Sequence, residues 1–222
     1  DHLDFYKDID DIQQTFGKFL ALLPEKDGLA VGNGDDPRVV EELEKLHCRH
    51  YTFGFGEGCD YRPANLRYSE LGCGEYDLSF RGEDLGHVKL KVAGFFQVAN
   101  SLAALGCAHQ LGADMAIACR ALDEFAGAHR RFELTSVVEG VKLYHDYGHN
   151  PTEMRAALSV ARQQRPGRLW AVMQPHTFSR VKSLFDDYLT CTREADFTLV
   201  TDIFAAREKD PGDIRSEMLV EG

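Results

Sequence analysis

The chain has 222 residues, 44% of them apolar, and a formal net charge of -11, which suits one large domain or two small ones with a real core. That acidic balance excludes a general nucleic-acid surface, which needs clustered Lys and Arg, yet leaves a small anionic ligand open. Six dispersed cysteines without a C-x-x-C pair read as reduced thiols of a cytoplasmic protein, and no apolar run approaches the ~20 residues of a membrane span.

In chain order, Ile9, Ile12, Phe16, Phe19, Leu20 and Leu23 recur at helical spacing and predict an amphipathic helix that stops at Pro24. Gly28 to Val31 reads as a short buried strand ending in the Gly32-Asn33-Gly34 turn. Pro37 then opens a helix at its first position, running to about Leu46, and Tyr51 to Phe53 is a second strand. Asn65 to Leu71, Tyr76 to Phe80 and Val88 to Val92 alternate polar and apolar residues between Gly-rich turns, the pattern of antiparallel hairpins. Helical spacing returns over Gln97 to Leu111 and Asp114 to Phe125, with Gly127 as punctuation. Beyond it the order is strand (Thr135 to Val138, Lys142 to Tyr144), helix (Thr152 to Arg162), strand (Leu169 to Met173), helix (Phe178 to Tyr188) and strand (Phe197 to Thr201). This βαβ alternation predicts a parallel sheet, and a domain boundary near Gly127 to His129.

Polar side chains gather where strands hand over to helices. Tyr144-His145-Asp146-Tyr147-Gly148-His149-Asn150-Pro151 follows one apolar run and Gln174-Pro175-His176-Thr177-Phe178-Ser179-Arg180 follows the next. Ligands of open α/β folds bind at such carboxyl ends of strands. With Ala128 to Glu133 at the expected boundary, these segments are expected to form one site.

Six motifs in order carry a resemblance. Asp1-His2-Leu3-Asp4 resembles D-H-x-D, Gly94 to Ala104 resembles G-x-H-N-x-x-N-x-x-A-A, and Arg130 to Glu133 matches R-R-F-E. Asp146 to Glu153 resembles D-Y-[AG]-H-H-P-T-E, Gln174 to Arg180 resembles Q-P-H-x-[FY]-[ST]-R, and Asp202 to Glu208 resembles a later strand-end motif. Together they are similar to the Mur ligase family. The fold class implied is α/β, with the latter part of a Mur ligase central ATP-binding domain over residues 1–127 and a C-terminal Rossmann-like parallel-sheet ligase domain over 128–222. The P-loop of the form G-T-x-G-K-T, which the family carries upstream of D-H-x-D, has no counterpart in this sequence. The chain is therefore expected to be part of a longer enzyme, and inactive alone.

The activity implied is ATP-dependent joining of L-alanine to UDP-N-acetylmuramate through an acyl phosphate, in peptidoglycan synthesis, with ATP and magnesium required. By resemblance His2 would sit near the magnesium, Gln97 and Asn100 near adenine, and Arg131 on the nucleotide phosphates. Asp146 would hold the ribose region, unless it serves only as the cap of the following helix. His149 is a nucleotide or substrate contact, or a structural ring bonded to backbone. His176 and Arg180 would face the incoming amino acid and the muramoyl carboxylate, with a surface ion pair as the plainer reading of Arg180. Three departures accompany the match: Phe96-Gln97 stands where the family has His-Asn, His145 precedes Asp146, and Asn150 replaces the second His of H-H-P-T-E. Two other readings are a Mur-type ligase that attaches a whole peptide, and a nucleotide-binding fragment without turnover. The peptide ligases tend to carry E-P-R-S where this chain has Gln174-Pro175-His176-Thr177.

Overall fold

A computed structural model describes residues 5–222. Two compact units are Asp8–Ala126, and Gly127–Gly222 grouped with residues 5–7.

In the first unit, α1 (Ile9–Leu20) begins at Asp8, whose carboxylate accepts from the Asp11 N–H at 2.9 Å. It ends three residues before the expected Leu23. The strand β1 (Leu29–Asn33) pairs in parallel with β2 (Arg49–Phe53), and α2 (Pro37–Glu44) lies between them in sequence. Asp36 caps α2 and Pro37 fills its first position, where a missing N–H costs nothing. β2 meets β3 (Tyr61–Tyr68) in parallel, and β3, β4 (Cys73–Phe80) and β5 (Glu83–Ala93) run antiparallel as the alternation predicts. The result is one five-stranded mixed sheet in the order β1-β2-β3-β4-β5. α3 (Phe95–Gln110) and α4 (Met115–Glu124) supply Val98, Leu102, Leu105 and Cys119 to a core with Tyr61, Tyr76, Leu78 and Val88. Inside that core the Tyr76 hydroxyl lies 2.6 Å from Ser101 Oγ, and Ser101 donates to the Val98 carbonyl at 2.7 Å. Ser101 has one hydroxyl proton, so Tyr76 is the donor of the first bond. Burial pushes the Tyr76 phenol well above its ordinary range.

In the second unit the parallel sheet is smaller than the alternation predicts. β6 (Glu133–Val138) and β7 (Val141–His145) form an antiparallel hairpin of their own. Among the described residues, β8 (Trp170–Met173) and β9 (Phe197–Val200) pair in parallel, and one further parallel bridge joins His176 to Phe204. The hairpin follows from its two-residue turn, Glu139-Gly140, where both residues have positive φ (51° and 84°) as a type I′ turn requires. α5 (Pro151–Gln163) links β7 to β8. The helix expected over Phe178 to Tyr188 is broken at Leu184 into α6 (Phe178–Ser183) and α7 (Phe185–Tyr188). A short α8 (Glu217–Glu221) has no counterpart in the expected elements. Met173, Val181, Tyr188, Cys191 and Ile214 form the core.

Among the described residues no helix is long and apolar enough to cross a membrane.

Candidate functional site

The R-R-F-E and D-Y-G-H segments, distant in sequence, are stitched together by backbone bonds. The Tyr147 N–H donates to the Arg130 carbonyl at 2.8 Å, and Glu133 pairs with His145 across the hairpin. Asp146 makes the stitch firm, since its carboxylate accepts from the Phe132 N–H at 2.8 Å and the Gly148 N–H at 2.6 Å. It does not cap α5. Asn150 does that, accepting from the Glu153 N–H at 3.0 Å, so the residue that departs from the family pattern takes the capping position. Glu153 reaches back to the His149 N–H at 3.0 Å, which makes a reciprocal capping arrangement one residue earlier than the usual box.

The turn that results presents two arginines. The guanidinium carbons of Arg130 and Arg131 lie 4.7 Å and 5.9 Å from the Tyr147 ring centre, close enough for a cation-π contact that holds both forks at the surface. Arg130 and Phe132 both adopt positive φ (62° and 46°), and the Phe132 ring stacks on Tyr144 at 4.4 Å and 18°. His129 Nδ1 lies 2.8 Å from the Glu133 carboxylate, which the Arg130 N–H and His129 together hold below its usual pKa.

The ends of β7 and β8 converge on two histidines. The rings of His149 and His176 are 5.2 Å apart, and Phe204, in the segment after β9, stacks on His176 at 5.3 Å and 21°. His149 Nδ1 donates to the Tyr147 carbonyl at 2.9 Å, and the buried Tyr188 hydroxyl donates to the His149 carbonyl at 2.7 Å. His149 is thus bonded to backbone while its ring also faces His176. Burial pushes the Tyr188 phenol up to about 12. Arg180 donates to the His176 carbonyl at 2.5 Å and to its Nδ1 at 3.0 Å. Burial, then the nearby His149 and Arg180, hold the His176 imidazolium below its ordinary pKa, so the ring is neutral near pH 7.

Glu208 has no assigned role in the sequence reading, although it lies in the Asp202 to Glu208 motif. Its carboxylate accepts from Thr177 Oγ1 at 2.6 Å, from the Ser179 N–H at 2.9 Å and from the Ser179 hydroxyl. Desolvation acts to raise its pKa, but the hydrogen bonds from Ser179 and Thr177 outweigh that and keep it low.

In the other unit, Gln97 and Asn100 stand one turn apart on α3, with Asn100 Nδ2 donating to Gln97 Oε1 at 3.4 Å. The helix begins at Phe95, so Asn100 lies in its second turn. His2 lies outside the described residues. Among those described, no group of three His, Cys, Asp or Glu side chains is spaced to hold a metal ion. A cavity of about 470 Å³ opens against α1 and α2, lined by Gln14, Lys18, Glu42, Lys45 and His47 among others. It contains none of the motif residues, and its size alone does not make it the site of chemistry.

The sequence matches the Mur ligase middle domain over residues 1–108 and the Mur ligase glutamate ligase domain over residues 130–222. It is 40% identical over 221 residues to the UDP-N-acetylmuramate–L-alanine ligase of Caldanaerobacter subterraneus subsp. tengcongensis, covering 100% of this chain and 48% of that protein. It is likewise 40% identical over 219 residues to the enzyme of that name from Clostridium perfringens, covering 99% and 48%. Among solved structures, a UDP-N-acetylmuramate–alanine ligase from Thermotoga maritima superposes with a TM-score of 0.76 at 24% identity, covering 100% of this chain and 46% of that one. That likeness bears on the fold. The chain spans about half the length of the curated relatives it matches.

Proposed function

The chain belongs to the Mur ligase family, and from that membership we propose that it supplies part of an enzyme joining L-alanine to UDP-N-acetylmuramate, with ATP as phosphoryl donor. The observation that carries the reading is the 40% identity to alanine ligases across essentially all of this chain and 48% of theirs. Whole-peptide ligation is less well supported, because Gln174-Pro175-His176-Thr177 departs from the E-P-R-S of the peptide ligases.

In this reaction the muramoyl carboxylate attacks the terminal phosphate of ATP, releasing ADP and forming an acyl phosphate. The amine of L-alanine then attacks the acyl carbon through a tetrahedral intermediate, inorganic phosphate leaves, and the amine loses a proton. Both steps concentrate negative charge, so the residues that matter are fixed donors aimed at oxygens. Arg131, held with Arg130 against Tyr147, offers a planar fork suited to phosphate. Gln97 and Asn100 offer side-chain amides for the adenine. His149, His176 and Arg180 take the acyl and amino-acid end. Asp146 does its work through the backbone, by holding the turn that carries the two arginines. Magnesium would neutralise phosphate charge, with His2 expected beside it. The compartment consistent with nucleotide-activated substrates is the cytoplasm.

A segment exchange tests the proposal. The 222 residues are placed in the Clostridium perfringens alanine ligase in place of the matching segment, and phosphate release is followed with each amino acid or peptide varied. Release that depends on L-alanine supports the reading. Release driven by a whole peptide, or by another amino acid in preference to L-alanine, overturns it. The 222-residue chain by itself, which has no P-loop pattern, is expected to release no phosphate from ATP above a no-enzyme control.

A further inference from the structure

The turn between β8 and α6 is built around a carboxylate from another part of the chain. Thr177 stands at the cap position of α6, yet its side chain makes no capping bond. Glu208 supplies the missing acceptor instead, taking the Ser179 N–H at 2.9 Å together with the hydroxyls of Thr177 and Ser179. A carboxylate at this helix end is also favoured by the peptide dipoles. The segment bearing Glu208 runs beside the turn, with Phe204 N–H donating to the Pro175 carbonyl at 2.8 Å and the Phe204 ring on His176.

The consequence reaches the imidazole. A guanidinium only donates, so the Arg180 bond to His176 Nδ1 makes that nitrogen the acceptor, and the neutral ring carries its proton on Nε2. A carbonyl only accepts, so the bond from His149 Nδ1 to Tyr147 places a proton on Nδ1, and in the neutral tautomer Nε2 is the lone pair. Neighbouring rings 5.2 Å apart therefore have opposite characters.

We propose that Glu208 is a positioning residue which, by fixing the Thr177-Phe178-Ser179 turn, lets Arg180 hold His176 as an Nε2–H donor beside His149 as an Nε2 acceptor. The donor suits an anionic or carbonyl oxygen and the acceptor suits the proton of an amine. This deepens the ligase reading and rests on it for the identity of those groups, but the tautomers themselves do not depend on it.

Two-bond proton-nitrogen NMR of the histidine rings in the 222-residue chain tests it without any substrate. The expected spectrum shows His176 protonated at Nε2 and His149 at Nδ1. The His176 preference should be about tenfold or more, the weight of one charge-assisted hydrogen bond. Glu208→Ala should bring the two tautomers of His176 to comparable populations, while the tautomer of His149 stays as it is. Glu208→Gln, which still offers one acceptor to the Ser179 N–H, should recover most of the wild-type pattern. Trp170 emission reports whether each variant is folded, and if Glu208→Ala is not, Ser179→Ala and Thr177→Val remove the arms singly and should each weaken the preference. A wild-type His176 protonated at Nδ1, or a folded Glu208→Ala chain with an unchanged His176 spectrum, overturns the proposal. Correct tautomers in a chain whose exchange chimera ignores L-alanine would instead count against the ligase reading alone.

Discussion

Replacing Asp146 tests whether the arginine-bearing turn depends on a single carboxylate. Asp146→Ala strips the acceptor from the Phe132 and Gly148 N–H groups, now bonded at 2.8 Å and 2.6 Å. Hydrogen bonds to a charged group are worth about 1.5–3 kcal/mol each when buried. Asp146 is partly exposed, so water can replace part of the loss, and about 2–3 kcal/mol for the pair is the expected cost. Asp146→Asn keeps one carbonyl oxygen as acceptor and should lose roughly half as much. The chain has one tryptophan, Trp170, in the same unit and stacked on Phe197 at 4.4 Å, so its emission follows the unfolding of that unit. With a urea slope of about 1–1.5 kcal/mol per molar, the midpoint should fall by about 2 M in the alanine variant and about 1 M in the asparagine variant. A fall below about 0.5 M in Asp146→Ala, or equal falls in both variants, would refute the argument that the carboxylate carries the turn.

The Tyr76 and Ser101 pair should respond asymmetrically. Tyr76→Phe leaves the Ser101 proton on the Val98 carbonyl and should cost about 0.5–1 kcal/mol, whereas Ser101→Ala strands a buried phenol donor and should cost about 1–3 kcal/mol; hydrogen exchange of the α3 amides reads both, and the reverse order would reassign the donor. His87 is bonded to Asp77 at 2.7 Å and approached by Glu75 at 3.2 Å, and the Asp77 bond raises its pKa against the opposing effect of desolvation. Its folded pKa exceeds the unfolded value, so the stabilisation is full below the unfolded pKa and fades as pH rises through the folded one. NMR titration should show His87 titrating above the ordinary histidine value and Asp77→Asn lowering it; no change in Asp77→Asn would deny the pairing. In the segment-exchange chimera, Arg131→Ala should depress turnover at saturating substrates by ~100-fold if it stabilises charge mainly in the transition state. His176→Ala should raise the KM for L-alanine more than that for ATP, and an effect confined to ATP would reverse the assignment.

Local signals were enough for most elements. Pro37 after Asp36, the alternation across β3 to β5, and the polar run before Pro151 are each contained within a few residues, and each marks an observed element. Gly140 marks a turn after β6, but Glu139 is not among the residues that take positive φ readily, so the two-residue hairpin is not announced locally. The break at Leu184 has neither Gly nor Pro to announce it, and the helical spacing of Val181, Leu184, Phe185 and Tyr188 runs straight through. The site is legible in part for the same reason. The motifs identify which segments meet His149 and His176, because each is a strand end. They do not reveal that Asp146 bonds to Phe132, 14 residues away, or that Glu208 caps a helix from 29 residues away. Those bonds exist only once β9 has been laid beside β8 and β7 beside β6.

The stacked ring of Phe132 limits what evolution or an engineer can do at that position. A φ of 46° is one that glycine adopts freely and an L side chain adopts at a cost of about 1–2 kcal/mol. Phe132→Gly would relieve that cost. It would also discard the contact with Tyr144, worth about 0.5–1.5 kcal/mol, and up to about 1.5–3 kcal/mol of apolar burial, less here because the ring is only partly covered. The substitution that best suits the main chain is therefore the one that the side-chain contact rejects, and the relaxed alternatives are all downhill in packing. Residue 132 should favour aromatic side chains, so a library randomised at this codon and selected for folded chains should return aromatic residues, with glycine depleted despite its backbone advantage.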